Sequence, residues 1–182
     1  VGKPEACKRI AKARPPNPLP ITAARTAIGT ASSNASTTAG LAYDQATGTM
    51  YLTSTGNDSH YPLAHATGPA TLVGDYGDTA IVMHGLEFDS STGTLYGVSS
   101  HNNGLYSIDK TIGTATLIGT STLSSFTNLV YHSATNTMYA TNSGADSFYR
   151  MDLATGAATL IGALGGPTNP NGLAYNSHDG KL

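Results

Sequence analysis

Apolar and β-branched residues along this chain come in short runs separated by polar, turn-forming segments. Between positions 85 and 119 there are four such runs: 85–89 (GLEFD), 94–99 (TLYGVS), 105–109 (LYSID) and 115–119 (ATLIG). Runs of this length, rich in aliphatic, aromatic and β-branched residues, predict strands. The segments between them are Ser90-Ser91-Thr92-Gly93, His101-Asn102-Asn103-Gly104 and Thr111-Ile112-Gly113. Asn and Asp bond their own backbone, and Gly accepts positive φ, so these segments predict tight turns. Links this short join antiparallel neighbours. The second and fourth runs lack a clean polar alternation, which predicts strands covered on both faces.

The same arrangement recurs along the chain. The pattern G-L-x-[YF]-[DHN]-x-x-[TD]-[GN]-[TK]-[ML] starts at Gly40, Gly85, Asn128 (with Asn in the first place) and Gly172, at spacings of 45, 43 and 44 residues. Tyr51, Tyr96 and Tyr139 fall in register, as do Tyr61, Tyr106 and Tyr149, then Gly68, Gly113 and Gly156, then Gly74, Gly119 and Gly162. Four strands per period of this length predict the blades of a β-propeller. The link after the fourth run, 120–127 or 163–171, is longer, as it must be if an outermost strand returns to a new innermost one. A solenoid or a tandem sandwich is the alternative, but solenoid coils are shorter and a sandwich gives no reason for the period. The expected fold is therefore all-β, a propeller of four-stranded antiparallel blades at 40–84, 85–127 and 128–171, with no long helix. A partial blade at 172–182 and an isolated outer strand at 25–30 complete a propeller segment over 22–182. Three blades are too few for a closed ring, so the chain is expected to be a segment of a larger propeller.

Charge divides the chain. Residues 1–25 hold six of the nine Lys and Arg against the single acid Glu5, and the first twenty carry five prolines. Residues 1–21 therefore read as a flexible basic leader outside the blades. No aromatic residue interleaves these bases, and nucleic acid is not expected as a partner. The one cysteine, Cys7, lies in the leader, so the blades can hold neither a disulfide nor a cysteine zinc site. No apolar run is long enough to span a bilayer or serve as a signal peptide. Charged residues make up only 11% of the chain; with abundant Thr, Ser, Gly and Asn, this resembles secreted bacterial repeat proteins. An extracellular or cell-surface location is expected, given a signal peptide upstream of Val1.

Asn171-Gly172-Leu173-Ala174-Tyr175-Asn176, followed by Asp179-Gly180-Lys181-Leu182, resembles the opening strand of NHL- and YVTN-type propeller repeats. The likeness covers residues 22–182. It implies fold far more than function, since such propellers serve as scaffolds, lyases, lactonases and redox enzymes. Asn171 also resembles, with Gly172-Leu173-Ala174, the short motif of gluconolactonase-like six-bladed lactonases, in which an Asn coordinates the catalytic divalent metal.

Candidate site residues are those that depart from the repeat or stand at its ends. Glu87 occupies an inner-strand column held elsewhere by Ala42, Val130 and Ala174. A carboxylate lining the channel could hold a cation or polar ligand. His84 and Asn171 share the position just before the repeat start, at the channel mouth. Asp58, His60, His101 and Asn102 lie in turns expected on the same rim, where polar side chains on rigid strands can form a recognition surface. Asp44 and Asp89 are expected to cap their following turns. No catalytic constellation can be picked out. The expected function is a non-catalytic extracellular scaffold that binds a protein or glycan and needs no cofactor. The alternative is a metal-dependent lactonase or other hydrolase in which Asn171 and Glu87 would hold Ca²⁺ or another divalent cation.

Overall fold

The computed structural model describes residues 26–31, 35–166 and 169–182. Among the described residues, twelve strands form three four-stranded antiparallel sheets, and within each sheet the strands lie in chain order. The first blade comprises β1 (Thr38–Asp44), β2 (Thr49–Ser54), β3 (Ser59–Leu63) and β4 (Gly74–Asp75). The second comprises β5 (Met83–Asp89), β6 (Thr94–Ser99), β7 (Gly104–Ile108) and β8 (Ala115–Thr120). The third comprises β9 (Phe126–His132), β10 (Thr137–Asn142), β11 (Ser147–Met151) and β12 (Ala158–Ala163). No described residue is helical, so among the described residues no helix is long and apolar enough to cross a membrane. The leader at 1–21, and Arg25 of the expected outer strand, lie outside the described residues.

The turns follow the chemistry of their residues. Asp44 Oδ1 accepts the amides of Ala46 (3.0 Å) and Thr47 (3.3 Å), and Asp89 Oδ1 accepts that of Ser91 (2.8 Å). Each of these turns then needs a left-handed residue before the second strand, supplied by Gly48 (φ 69°), Gly93 (φ 71°) and, in the third blade, Asn136 (φ 49°). The outer strand of the first blade falls short of the other two. Pro62 of β3 directs its carbonyl to Thr71 N (3.0 Å), so its missing N–H faces the same strand and one rung of the ladder is lost. The equivalent residues in β7 and β11, Ser107 and Arg150, keep their donors, and β8 and β12 run for six residues each.

The core lies between blades, which explains the unalternated strands. Ala42 and Tyr51 of the first blade cluster with Leu86, Phe88 and Leu95 of the second, and Tyr96 and Val98 of the second with Leu129 and Tyr131 of the third. Leu95 and Leu105 are fully buried, each stabilising the fold by roughly 1.5–3 kcal/mol. At the outer edge, glycines bring neighbouring backbones together. Gly74 packs on Ile112 and Gly113, and Gly119 on Thr155 and Gly156, so closely that a Cβ at either would overlap a carbonyl oxygen. Residues 26–31 make the same contacts with the first blade without joining a sheet. Gly29 packs on Thr67 and Gly68, and Ala31 O accepts Ala70 N at 3.1 Å, as Tyr76 O accepts Ala115 N at 3.1 Å one boundary later. Residues 171–175 run as an inner segment beside β9, and of the last unit only Asn176 and Lys181 form a bridge.

Candidate functional site at the channel mouth

The inner strands β1, β5 and β9 and the segment 171–175 enclose adjoining cavities. At the mouth a cavity of about 260 Å³ is lined by Thr38, Ala39, His84, Thr127, Asn128 and Asn171. Below it a second, of about 270 Å³, adds Gly40, Gly85 and Glu87 while sharing Asn128 and Asn171. Glu87 also borders the far end of the channel, beside Tyr43, Tyr131 and Tyr175. The fold thus brings His84, Asn171 and Glu87 to one channel.

Each of these side chains is held differently. His84 Nδ1 lies 2.8 Å from Ser100 Oγ and 3.2 Å from Val82 O, which fixes the ring. Glu87 Oε1 accepts the amide of Phe88 at 2.8 Å. Burial pushes the Glu87 carboxyl up to about 7, against the pull of bonds from the Phe88 and Tyr131 amides. Its acceptors thus serve the backbone of its own blade and of the next. Asn171 is exposed.

The residues expected on the rim separate into three kinds. His60 does not reach the surface: it is fully buried and stacks on Tyr51 with ring centroids 5.1 Å apart. It fills the column held by Leu105 and Phe148, and Phe148 stacks on Tyr139 in the same way, at 5.1 Å. Both its ring nitrogens lack a hydrogen bond, and burial pushes its pKa down to about 4. It is a neutral core residue in an aromatic's place. Asn102 spends its amide on its own turn, donating to Tyr106 Oη (2.6 Å) and accepting from Gly104 N (3.2 Å). Asp58 and His101 do stand at the rim. Asp58 borders a cavity of about 270 Å³ with Asp75, Tyr76 and Asp78; its carboxyl is raised by burial and opposed by the nearby His101.

Asn128 is a site residue that the sequence reading did not single out. It stands where the other units have Gly40, Gly85 and Gly172. Its Nδ2 lies 3.1 Å from Thr127 Oγ1, 3.2 Å from Thr141 Oγ1 and 3.3 Å from Pro170 O. Thr127 Oγ1 also donates to Pro170 O at 3.0 Å. Together they tie the link that carries Asn171 to the third blade.

The channel gathers one carboxylate, Glu87, with the amides of Asn128 and Asn171. Glu87 and Asn171 share a cavity, but among the described residues no three His, Cys, Asp or Glu side chains converge so as to hold an ion. Hard divalent cations such as Ca²⁺ take six to eight oxygens, and Glu87 already serves two amides.

No protein-family model matches the chain, and no curated protein matches it. Solved structures do match. A chain of a nidogen–laminin complex aligns with TM-score 0.66 and 16% identity over 80% of this chain and 55% of its own. A gluconolactonase from Xanthomonas campestris, XC5397, aligns with TM-score 0.56 and 15% identity over 72% of this chain and 49% of its own. A protein of unknown function from Bacteroides thetaiotaomicron aligns with TM-score 0.56 and 19% identity over 66% of this chain and 32% of its own. The fold is that of a β-propeller, and its structural neighbours are propellers. The chain spans between a third and just over half the length of these structures.

Proposed function

We propose that this chain is a non-catalytic recognition module, working outside the cell or at its surface, that binds a protein or glycan over the channel mouth. One observation carries the reading. The mouth is lined by hydroxyl, amide and imidazole groups, those of Thr38, His84, Thr127 and Asn128 held on inner strands, with no carboxylate among them. Groups of this kind orient a ligand by hydrogen bonds, and no described hydrogen bond joins His84 to a hydroxyl of the lining, as an activated nucleophile there would need. The neighbours include a chain from a nidogen–laminin complex and a gluconolactonase, so the fold accommodates either role, and the choice rests on the lining.

The reading is tested by surface plasmon resonance of the purified chain against panels of soluble glycans and extracellular proteins. Lactone hydrolysis is assayed in parallel, with gluconolactone in the presence and absence of Ca²⁺. The expected result is saturable binding, weakened by Asn171→Ala, and no turnover above background. Calcium-dependent hydrolysis of the lactone would overturn it in favour of the hydrolase.

A further inference from the structure

At the boundaries between the first and second blades and between the second and third, contact is close enough to exclude a side chain. A Cβ on Gly40 would lie 2.8 Å from Leu86 N and 2.9 Å from His84 O; one on Gly85 would lie 3.0 Å from the Cα of Asn128. The hydroxyl of Thr53 reaches across the first boundary by itself, accepting Gly40 N (2.8 Å) and donating to Met83 O (3.2 Å). Met83 stands two residues before its repeat start, as Pro170 does before Gly172. At the third boundary the same span is bridged in two steps, from Thr141 Oγ1 through the Asn128 amide to Pro170 O. A whole side chain is interposed where the other boundaries have no room for a methyl group.

We propose that Asn128 acts as a spacer that holds the fourth inner segment away from the third blade. The cleft so formed at the channel mouth is the binding site for one ring of a neutral saccharide. This inference rests on the recognition reading above and names its ligand. With the Asn128 NH₂ spent on Thr127, Thr141 and Pro170, the oxygen is what this amide offers a ligand. His84, fixed through Nδ1 by Ser100 and Val82, has no described partner at Nε2. The side chain of Asn171 bonds no described residue and offers both a donor and an acceptor. Thr38 adds a hydroxyl that can do either. Such a set suits hydroxyl groups, which both give and accept hydrogen bonds. An anion would meet no Lys or Arg in the lining and a cation no carboxylate, since Glu87 borders only the cavities beneath the mouth. The volume, about 260 Å³, lies just below the roughly 300–1,000 Å³ of pockets for drug-sized ligands, which favours a single ring over a folded protein segment.

The experiment is an amide NMR titration of the full chain with the methyl glycosides of glucose, galactose, mannose and N-acetylglucosamine, followed by the same titration of Asn128→Gly. Glycine stands in this column in the other units, so this variant is expected to fold, which its amide dispersion verifies. At least one glycoside is expected to shift the signals of Thr38, His84, Thr127 and Asn171 at millimolar concentration. Asn128→Gly is expected to weaken it at least about tenfold, the equivalent of one to two hydrogen bonds. Unaltered affinity in a folded Asn128→Gly chain would overturn the spacer assignment. Shifts confined to the outer rim around Asp58 and His101 would overturn the mouth as the site while leaving the recognition reading standing. If no glycoside shifts any signal but a defined extracellular protein binds and perturbs the mouth, the saccharide assignment is wrong and the recognition reading survives. Failure of every glycoside and every protein would take both down together.

Discussion

The boundary between the first and second blades and that between the third blade and the fourth inner segment are built from corresponding residues to opposite ends. At the first, glycine lets two backbones touch, and the hydroxyl of Thr53 spans directly to Met83 O at 3.2 Å. At the other, Asn128 stands between Thr141 and Pro170. One is a packing joint, closed over the cluster of Ala42, Tyr51, Leu86 and Phe88. The other opens onto a polar cavity. In a repeat protein the regular boundary thus serves as an internal control, and a single departure from it marks where packing has been given up.

The equally tight joint between the second and third blades can be broken most severely at Gly85. A Cβ there would meet Val98 Cγ2 at 2.7 Å and the Cα of Asn128 at 3.0 Å, so Gly85→Val is expected to cost about 3 kcal/mol in urea unfolding, at the upper end of overpacking penalties. Asn128→Ala, in the looser boundary, should cost about 1 kcal/mol or less.

Two buried titrating groups distinguish the first joint from the second, because their pH slopes oppose. His60, between the first two blades, has its pKa depressed from 6.5 to about 4. Its contribution is full above pH 6.5 and is lost as pH falls towards 4. Glu87, beside the third blade, has its pKa raised from 4.5 to about 7; its contribution is full below pH 4.5 and is lost as pH rises through 7. Each window represents up to about 3 kcal/mol at 1.36 kcal/mol per pKa unit. His60→Phe, which copies Phe148, removes the first slope. Its unfolding free energy should therefore rise as pH falls from 7 to 5, and His60→Phe/Glu87→Gln should be flat there. A smaller effect is expected of Thr53→Val, which leaves the Gly40 amide unpaired in a buried joint and should cost about 1–2 kcal/mol in thermal unfolding.

Much of this was legible in the sequence because the repeat made it so. The 44-residue period and the turn glycines determined three sheets of four strands, and the columns placed His84, Asn171 and Glu87 on segments that share a channel. The short β4 was not anticipated. Its cause, the missing donor of Pro62, acts across strands and shows only once the register is known. His60 reads as a rim residue because it adjoins a turn. The column His60, Leu105, Phe148 was already apolar, and it decides the position of His60 more reliably than its neighbour Asp58 does. Asn128 was visible as the exception in the first column. That its amide separates two segments could not be read there, since Thr141 and Pro170 are brought to it only by the fold.

On the spacer assignment, Asn128 holds the fourth inner segment off the third blade. The most direct measurement is a pair of nuclear Overhauser spectra, of the native chain and of Asn128→Gly. No Hα–Hα contact is expected between position 128 and Gly172 in the native chain. In the variant that contact should appear, matching the one between Gly85 and Asn128 across the previous boundary. The same contact in the native chain, or its absence from a folded variant, would contradict the account.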